Sequence, residues 1–155
     1  MLPYTDYIIS AKLFFIKINK KGNFKMDKII NGAESTAYTK ADSSNTALSM
    51  GSGSLEVFAT PAVIALMEKA ACQAIADMLD EGTTTVGTLI SVEHLSASPV
   101  GSDISARAVL TDVDGRKYCF DVFAYDNDGI IAKGKHERFS VITEKFMNKA
   151  NQKLN

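Results

Sequence analysis

The chain has few of the residues that build metal centres and disulfide frameworks. Among its 155 residues are two cysteines and two histidines. Cys72 and Cys119 are too few for a disulfide framework or a zinc site. One falls in a helical pattern and the other in a strand pattern, so both read as small buried hydrophobes rather than nucleophiles. His94 and His136 alone do not make a multi-histidine metal centre, and no metal is expected. The formal net charge is only -1, which leaves no general basic footprint for nucleic acid. The apolar run Tyr7 to Ile18 is broken by Lys12 and Lys17 and is too short to span a bilayer. Lys20-Lys21-Gly22-Asn23 follows it in place of a small-residue cleavage site, which argues against a signal peptide. No membrane partner is expected, and the cytoplasm is the expected location. The chain also lacks a Gly-rich phosphate loop before a helix, a nucleophile elbow, a paired-cysteine motif and internal repeats.

What is present is ordinary for a soluble globular protein: 46% hydrophobic and 23% charged residues. The length suits one domain with a real core. Met26 is a candidate natural start, which makes residues 1–25 an N-terminal extension and residues 26–155 the domain. The rival reading of 1–25 is an extra strand or helix packed on the domain. Asp27 to Thr46 is polar and reads as loop, with Thr46 to Met50 as a candidate short strand. Gly51-Ser52-Gly53-Ser54 is a flexible connection, either a surface loop or an entry loop to a site.

Val57 to Leu79, VFATPAVIALMEKAACQAIADML, reads as one long and almost wholly apolar helix. Thr60 suits its N-cap and Pro61 its first position. At 100° per residue Ala62, Lys69, Gln73, Asp77 and Asp80 share a narrow polar stripe. Glu68 lies off that stripe, among Ile64, Ala65, Ala71, Cys72 and Ile75. A carboxylate there is paired, protonated or useful; a margin position with a salt bridge is the plainer alternative.

After Gly82, a plausible C′ residue, the pattern turns to sheet. Thr84 to Ala97 places Val86, Thr88, Ile90, Val92 and His94 on one face by period two. Asp103 to Asp112 does the same for Ile104, Ala106, Ala108 and Leu110. Lys117 to Tyr125 does so for Tyr118, Phe120, Val122 and Ala124. Ile130 to Ile142 is the last strand, and Phe146 to Leu154 a polar, partly helical tail. Asp114-Gly115 and Asp128-Gly129 are hairpin signals. The order gives an α+β fold in which an antiparallel sheet wraps the helix. One such sheet covers only part of so apolar a helix, which argues for a partner subunit.

Three residues could carry chemistry. Thr60 sits at the helix start, where free N–H groups and the helix dipole favour an oxyanion. Glu68 lies two turns on, and His94 lies on a strand among apolar neighbours. Hydroxyl, carboxylate and imidazole together suit acyl transfer. Each also has a plain structural reading, as cap, salt-bridge partner and satisfied core histidine.

Several segments, in order and spacing, resemble a known family: Val57-Phe58-Ala59-Thr60, Ala65-Leu66-Met67-Glu68-Lys69-Ala70-Ala71-Cys72, Val86-Gly87-Thr88, Val92-Glu93-His94, Ala97-Ser98-Pro99, Asp114-Gly115-Arg116 and Gly134-Lys135-His136-Glu137-Arg138. From about Leu55 to Lys149 the chain resembles the hotdog-fold thioesterases of the fluoroacetyl-CoA thioesterase branch. The resemblance implies a hotdog fold, a homodimer in which two sheets join or a dimer of such dimers, and hydrolysis of acyl-coenzyme A at the dimer interface. It implies no cofactor beyond the coenzyme A of the substrate. It places the catalytic threonine, glutamate and histidine on Thr60, Glu68 and His94. It places Gly87 near the substrate carbonyl and Arg138 near coenzyme A or the dimer seam. Lys133, Lys135 and Arg138 are candidates for the coenzyme A phosphates. The family's fluoroacetate-specific enzyme has an aromatic lid ahead of the helix. Here no phenylalanine occurs between Asp27 and Val57, and Phe58 is the nearby aromatic, expected at the substrate. A short or medium acyl-CoA is therefore the expected substrate. A hotdog hydratase or dehydratase, and a non-catalytic acyl- or small-ligand-binding module, are the alternatives.

Overall fold

The computed structural model describes residues 15–18, 24–27 and 32–154. The chain divides into two compact units, Met1–Ile30 and Asn31–Asn155. In the first, β1 (Phe15–Ile18) pairs antiparallel with β2 (Phe24–Asp27). Beyond these strands, the expected extension at residues 1–25 lies outside the described residues.

The second unit holds one antiparallel sheet of five strands: β3 (Glu34–Lys40), β4 (Thr83–His94), β5 (Asp103–Asp114), β6 (Lys117–Asp126) and β7 (Gly129–Ile142). Their order is β3-β5-β6-β7-β4. Helix α1 (Thr60–Ile75) lies against one face, and α2 (Thr143–Asn151) follows β7. The expected sheet wrapped on one helix is present. The two Asp-Gly signals mark the β5–β6 and β6–β7 turns.

The expected inner faces of β5 and β6 are the observed ones. Ile104, Ala106, Ala108 and Leu110 are buried, as are Tyr118, Phe120, Val122 and Ala124. From α1 come Val63, Leu66, Met67, Ala70, Ala71 and Ile75. Alanines on both partners let the helix approach the sheet closely. Larger side chains such as Met67, fully buried, each contribute roughly 1.5–3 kcal/mol of transfer free energy.

Three expectations need correction. The first strand of this sheet is Glu34–Lys40, not Thr46–Met50, which makes only the bridge Thr46–Phe58. The sequence ESTAYTK looks like loop because β3 is an edge strand, and only its Ala37 is fully buried. Second, the helix is shorter than Val57–Leu79. Val57 and Phe58 are extended and tied to the loop before β5, with the Phe58 N–H donating to the Ser98 carbonyl at 2.8 Å. Ala59 (φ -72°, ψ 143°) is the N-cap and Thr60 the first helical residue. The last turn tightens into a 3-10 helix at Ala76–Met78, and Gly82 at φ 75° turns the chain into β4.

Third, β4 does not have one face throughout. Gly87 pairs with Arg138 and Leu89 with Glu137, so Thr88 is skipped in a β-bulge. The bulge swaps which parity faces α1. Before it Thr85 is buried; after it Val92 packs on the core and His94 is half-buried, while Thr88 is exposed. A strict period of two cannot show an inserted residue.

The polar stripe is exposed as expected at Lys69 and Gln73 of α1 and at Asp77 and Asp80 beyond it, while Ala62 is half-buried. On the side nearer β4, Ala65 is also exposed and Ile64, Glu68 and Cys72 are only half-buried. Strand β4 itself pairs with β7 on one side, and no other described strand pairs with it.

Candidate active site

Two polar clusters lie between α1 and β4. The first is at the helix start. Thr60 Oγ1 lies 2.8 Å from His94 Nδ1. This contact exists because Thr60 does not cap the helix. As the first helical residue, with no side-chain cap bond at this terminus, it keeps its hydroxyl free. Its amide and that of Ala62 belong to the first turn, whose N–H groups have no intrahelical acceptor. The bulge in β4 turns His94 toward Thr60. The other ring nitrogen, His94 Nε2, is buried without a hydrogen-bond partner among the described residues. An unpaired buried nitrogen is costly, and the single chain supplies none of the described groups to offset it.

The second cluster surrounds Glu68, eight residues and about 12 Å along α1 at 1.5 Å per residue. Arg138 Nη1 donates to Glu68 Oε2 at 3.0 Å and to His136 Nε2 at 3.2 Å. Arg138 Nε donates to Thr85 Oγ1 at 2.9 Å, and Nη2 to the Thr85 carbonyl at 2.8 Å. The Arg138 side chain is 6% exposed and that of Glu68 38% exposed, so the arginine is held from behind and the glutamate meets solvent. Beside it, Gly87 leaves room that a side chain would fill. A Cβ there would stand 2.8 Å from Glu68 Oε2 and 3.2 Å from His136 Cε1.

His136 is 1% exposed and stacked on Phe120. Its Nδ1 lies 2.7 Å from the Leu89 carbonyl at the bulge. Burial pushes its pKa below the ordinary value; the Leu89 carbonyl opposes that shift, Arg138 adds to it, and Glu68 and Glu137 oppose it.

Of the residues the sequence singled out, the single chain brings Thr60 to His94, and Glu68 to Gly87 and Arg138. It does not bring the two groups together. Arg138 is committed to Glu68 and Thr85 rather than to open solvent. Phe58 is 1% exposed and part of the core, because the extended entry to α1 turns it inward. Lys133 and Lys135 are exposed and paired with Glu93 and Asp121. The residues missed are His136 and Thr85. His136 and Arg138 share the inner face of β7, so two polar residues at period two on the last strand were the available signal. Thr85 gave none. Among the described residues no group of three or more His, Cys, Asp or Glu could hold a metal ion. No described helix is long and apolar enough to cross a membrane.

This arrangement can hold a carbonyl at a helix N-terminus, relay a proton through a hydroxyl–imidazole pair and present a fixed carboxylate. Comparison with known proteins agrees. Residues 41–144 match the family model described as fluoroacetyl-CoA-specific thioesterase, FlK. The chain is 41% identical over 98 residues to the fluoroacetyl-CoA thioesterase of Streptantibioticus cattleyicolor, covering 63% of this chain and 70% of that one. A crystal structure of a variant of the fluoroacetyl-CoA thioesterase FlK in complex with acetyl-CoA superposes with a TM-score of 0.76 at 32% identity, covering 82% of this chain and 100% of that one. A hot-dog-like protein from Thermanaerovibrio acidaminovorans shares the fold, with a TM-score of 0.74 at 24% identity over 81% of this chain and 93% of that one. The structure is a hotdog fold, and the chain belongs to the fluoroacetyl-CoA-specific thioesterase family.

Proposed function

We propose that this thioester hydrolase takes a short or medium acyl-CoA and releases the free acid and coenzyme A. The observation that carries the reading is the Thr60–His94 contact of 2.8 Å at the N-terminus of α1. A thioester carbonyl beside that terminus would share its developing negative charge with backbone N–H groups there and at Gly87. Glu68 attacks that carbonyl or, with Thr60, directs a water to it, and His94 moves the proton. The reaction needs no cofactor beyond the coenzyme A of the substrate. Lys133 and Lys135 would meet its phosphates by exchanging their exposed, weakly held partners Glu93 and Asp121.

The site is made by two copies of the chain. Among the described residues one edge of β4 is unpaired, and the adjoining side of α1 is exposed at Ala65 and half-buried at Ile64, Glu68 and Cys72. Antiparallel pairing of two β4 edges about a two-fold axis runs the His94 end of one strand toward the Gly87 half of the other. The hydroxyl–imidazole pair of one copy then approaches the carboxylate of its partner.

The loop ahead of α1 supports this substrate class. Residues 47–57 close on themselves, with Ala47 N–H donating to Val57 O at 2.9 Å and Leu48 N–H to Leu55 O at 3.0 Å. Leu48, Met50 and Leu55 are exposed there. These are flexible aliphatic side chains and suit an alkyl acyl group.

The test is thiol release from a panel of acyl-CoAs of increasing chain length, with hydration of an enoyl-CoA measured alongside. Release is expected to peak at short or medium chains with no hydration. Hydration without release would replace the reading by a hydratase, and binding without either by a ligand-binding module.

A further inference from the structure

His136 sits behind the proposed carboxylate and is in contact with nothing that could be substrate. It is 1% exposed, stacked on Phe120 of β6 with ring centroids 6.1 Å apart. Three polar groups face it, and a fourth, on the next residue, turns away. The Leu89 carbonyl of β4 accepts at 2.7 Å, which requires a proton on Nδ1. Arg138 Nη1 donates to Nε2 at 3.2 Å, which requires a bare Nε2. Glu68 Oε2 of α1 is 3.9 Å from Nε2, and Glu137 of β7 turns to Lys117 at 2.9 Å. Both contacts of the ring demand the same neutral tautomer. The bulge at Thr88 matters here too, since it shapes the backbone that offers the Leu89 carbonyl.

We propose that neutral, Nδ1-protonated His136 is a positioning residue that holds Glu68 in place through Arg138. This rests on the thioesterase reading above. Arg138 Nη1 points both to Glu68 and to His136, while Nε and Nη2 are anchored on Thr85. His136 thus supplies the lone-pair acceptor that, with Thr85, fixes the guanidinium plane. A fixed guanidinium holds one carboxylate oxygen against the Gly87 backbone, leaving the other for chemistry. A histidine kept only for packing would have no need of a bare Nε2.

Two amide substitutions separate the ring nitrogens. H136Q keeps an acceptor near the place of Nε2; H136N keeps a donor near the place of Nδ1 and loses that acceptor. With the best acyl-CoA, H136Q is expected to keep most of the wild-type kcat. H136N is expected to lose about tenfold in kcat, the worth of one charge-assisted hydrogen bond, with KM little changed. Equal kcat in the two folded variants, or the reverse order, overturns the proposal. Ring 15N shifts of the wild-type protein at pH 7.5 give an answer that needs no turnover and no folded variant. The neutral Nδ1–H tautomer is expected for His136; the Nε2–H tautomer or an imidazolium overturns it. If the wild-type protein releases no thiol, the functional reading fails while the tautomer still decides the role of His136 toward Arg138.

Discussion

Gly87 and Glu68 are in such close contact that a single added methyl would stand 2.8 Å from the carboxylate oxygen Oε2. Gly87 is not at positive φ, so backbone freedom does not explain it; space does. The carboxylate is therefore fixed from two sides, by Arg138 at 3.0 Å and by the bare backbone of β4.

G87A tests that contact. The end of the Glu68 side chain can move aside, but it then leaves Arg138, and the buried ring of His136, 3.2 Å from the added carbon, must give slightly. Stability is expected to fall by about 1–3 kcal/mol, the cost of leaving the buried guanidinium short of a partner. Turnover of acyl-CoA should fall by about tenfold or more as the carboxylate is misplaced. A variant with wild-type kcat would show that this position of Glu68 is not the productive one.

E68Q keeps the shape and one acceptor for Arg138 but removes the charge. It should cut kcat by roughly a hundredfold to a thousandfold while the protein stays folded, as expected for loss of a nucleophile or general base. Steady-state kinetics beside circular dichroism checks both halves. Near-normal hydrolysis would remove Glu68 from the mechanism.

At the other cluster, T60V preserves shape and removes the hydroxyl that meets His94 at 2.8 Å. It should lower kcat by about tenfold to a hundredfold, and T60S should restore much of it. Because Thr60 caps nothing, the melting temperature should barely change. A large loss of stability would instead indicate a structural hydroxyl.

Stability should also depend on His136. Its folded pKa lies below the ordinary 6.5, chiefly because burial disfavours the cation. The unfolded chain then binds the proton more readily than the folded one, so acid favours unfolding. This contribution is complete above 6.5 and is lost as the pH falls toward the depressed folded value. Asp126, lowered chiefly by the Ser98 hydroxyl, acts in a separate window below its ordinary 3.8. Urea titrations between pH 7.5 and 5 should show stability falling with acid in the wild-type protein and a flatter profile in H136Q. An identical slope in both would assign the effect to other groups.

Ser98 supports the entrance to α1. It is fully buried, donates to Asp126 Oδ2 at 2.6 Å, and its carbonyl accepts from Phe58 N–H at 2.8 Å. S98A leaves the backbone bond and removes the hydroxyl from a half-buried carboxylate that water can still reach, at an expected cost of about 1 kcal/mol in chemical denaturation. By contrast, the exposed pair Lys40–Asp103 at 3.2 Å should be worth under about 1 kcal/mol.

Much of this molecule was written in local patterns. Alternation along Ile104–Leu110 and Tyr118–Ala124, the Asp-Gly turns and the apolar run of α1 each report burial at their own residue, and period is set by backbone geometry. They determined the α+β order and the sheet's inner faces. The odd setting of Glu68 was also legible, because one charge among Ile64, Ala71 and Ile75 breaks a helical pattern. Other features required the folded chain. The edge strand Glu34–Lys40 carries little apolar signal because an edge buries little. The bulge at Thr88 inserts one residue, which no period-two count can detect, yet it decides that Gly87 backs Glu68 while His94 still turns to Thr60. Thr60 reads as a cap, but the extended Val57–Ala59 segment moves the cap one residue earlier and frees its hydroxyl. Finally, Arg138 is separated from Glu68 by 70 residues. Their ion pair needs α1 laid on the sheet beside the inner face of β7, where the β4–β7 register sets Gly87 next to Arg138, and tertiary structure alone sets both.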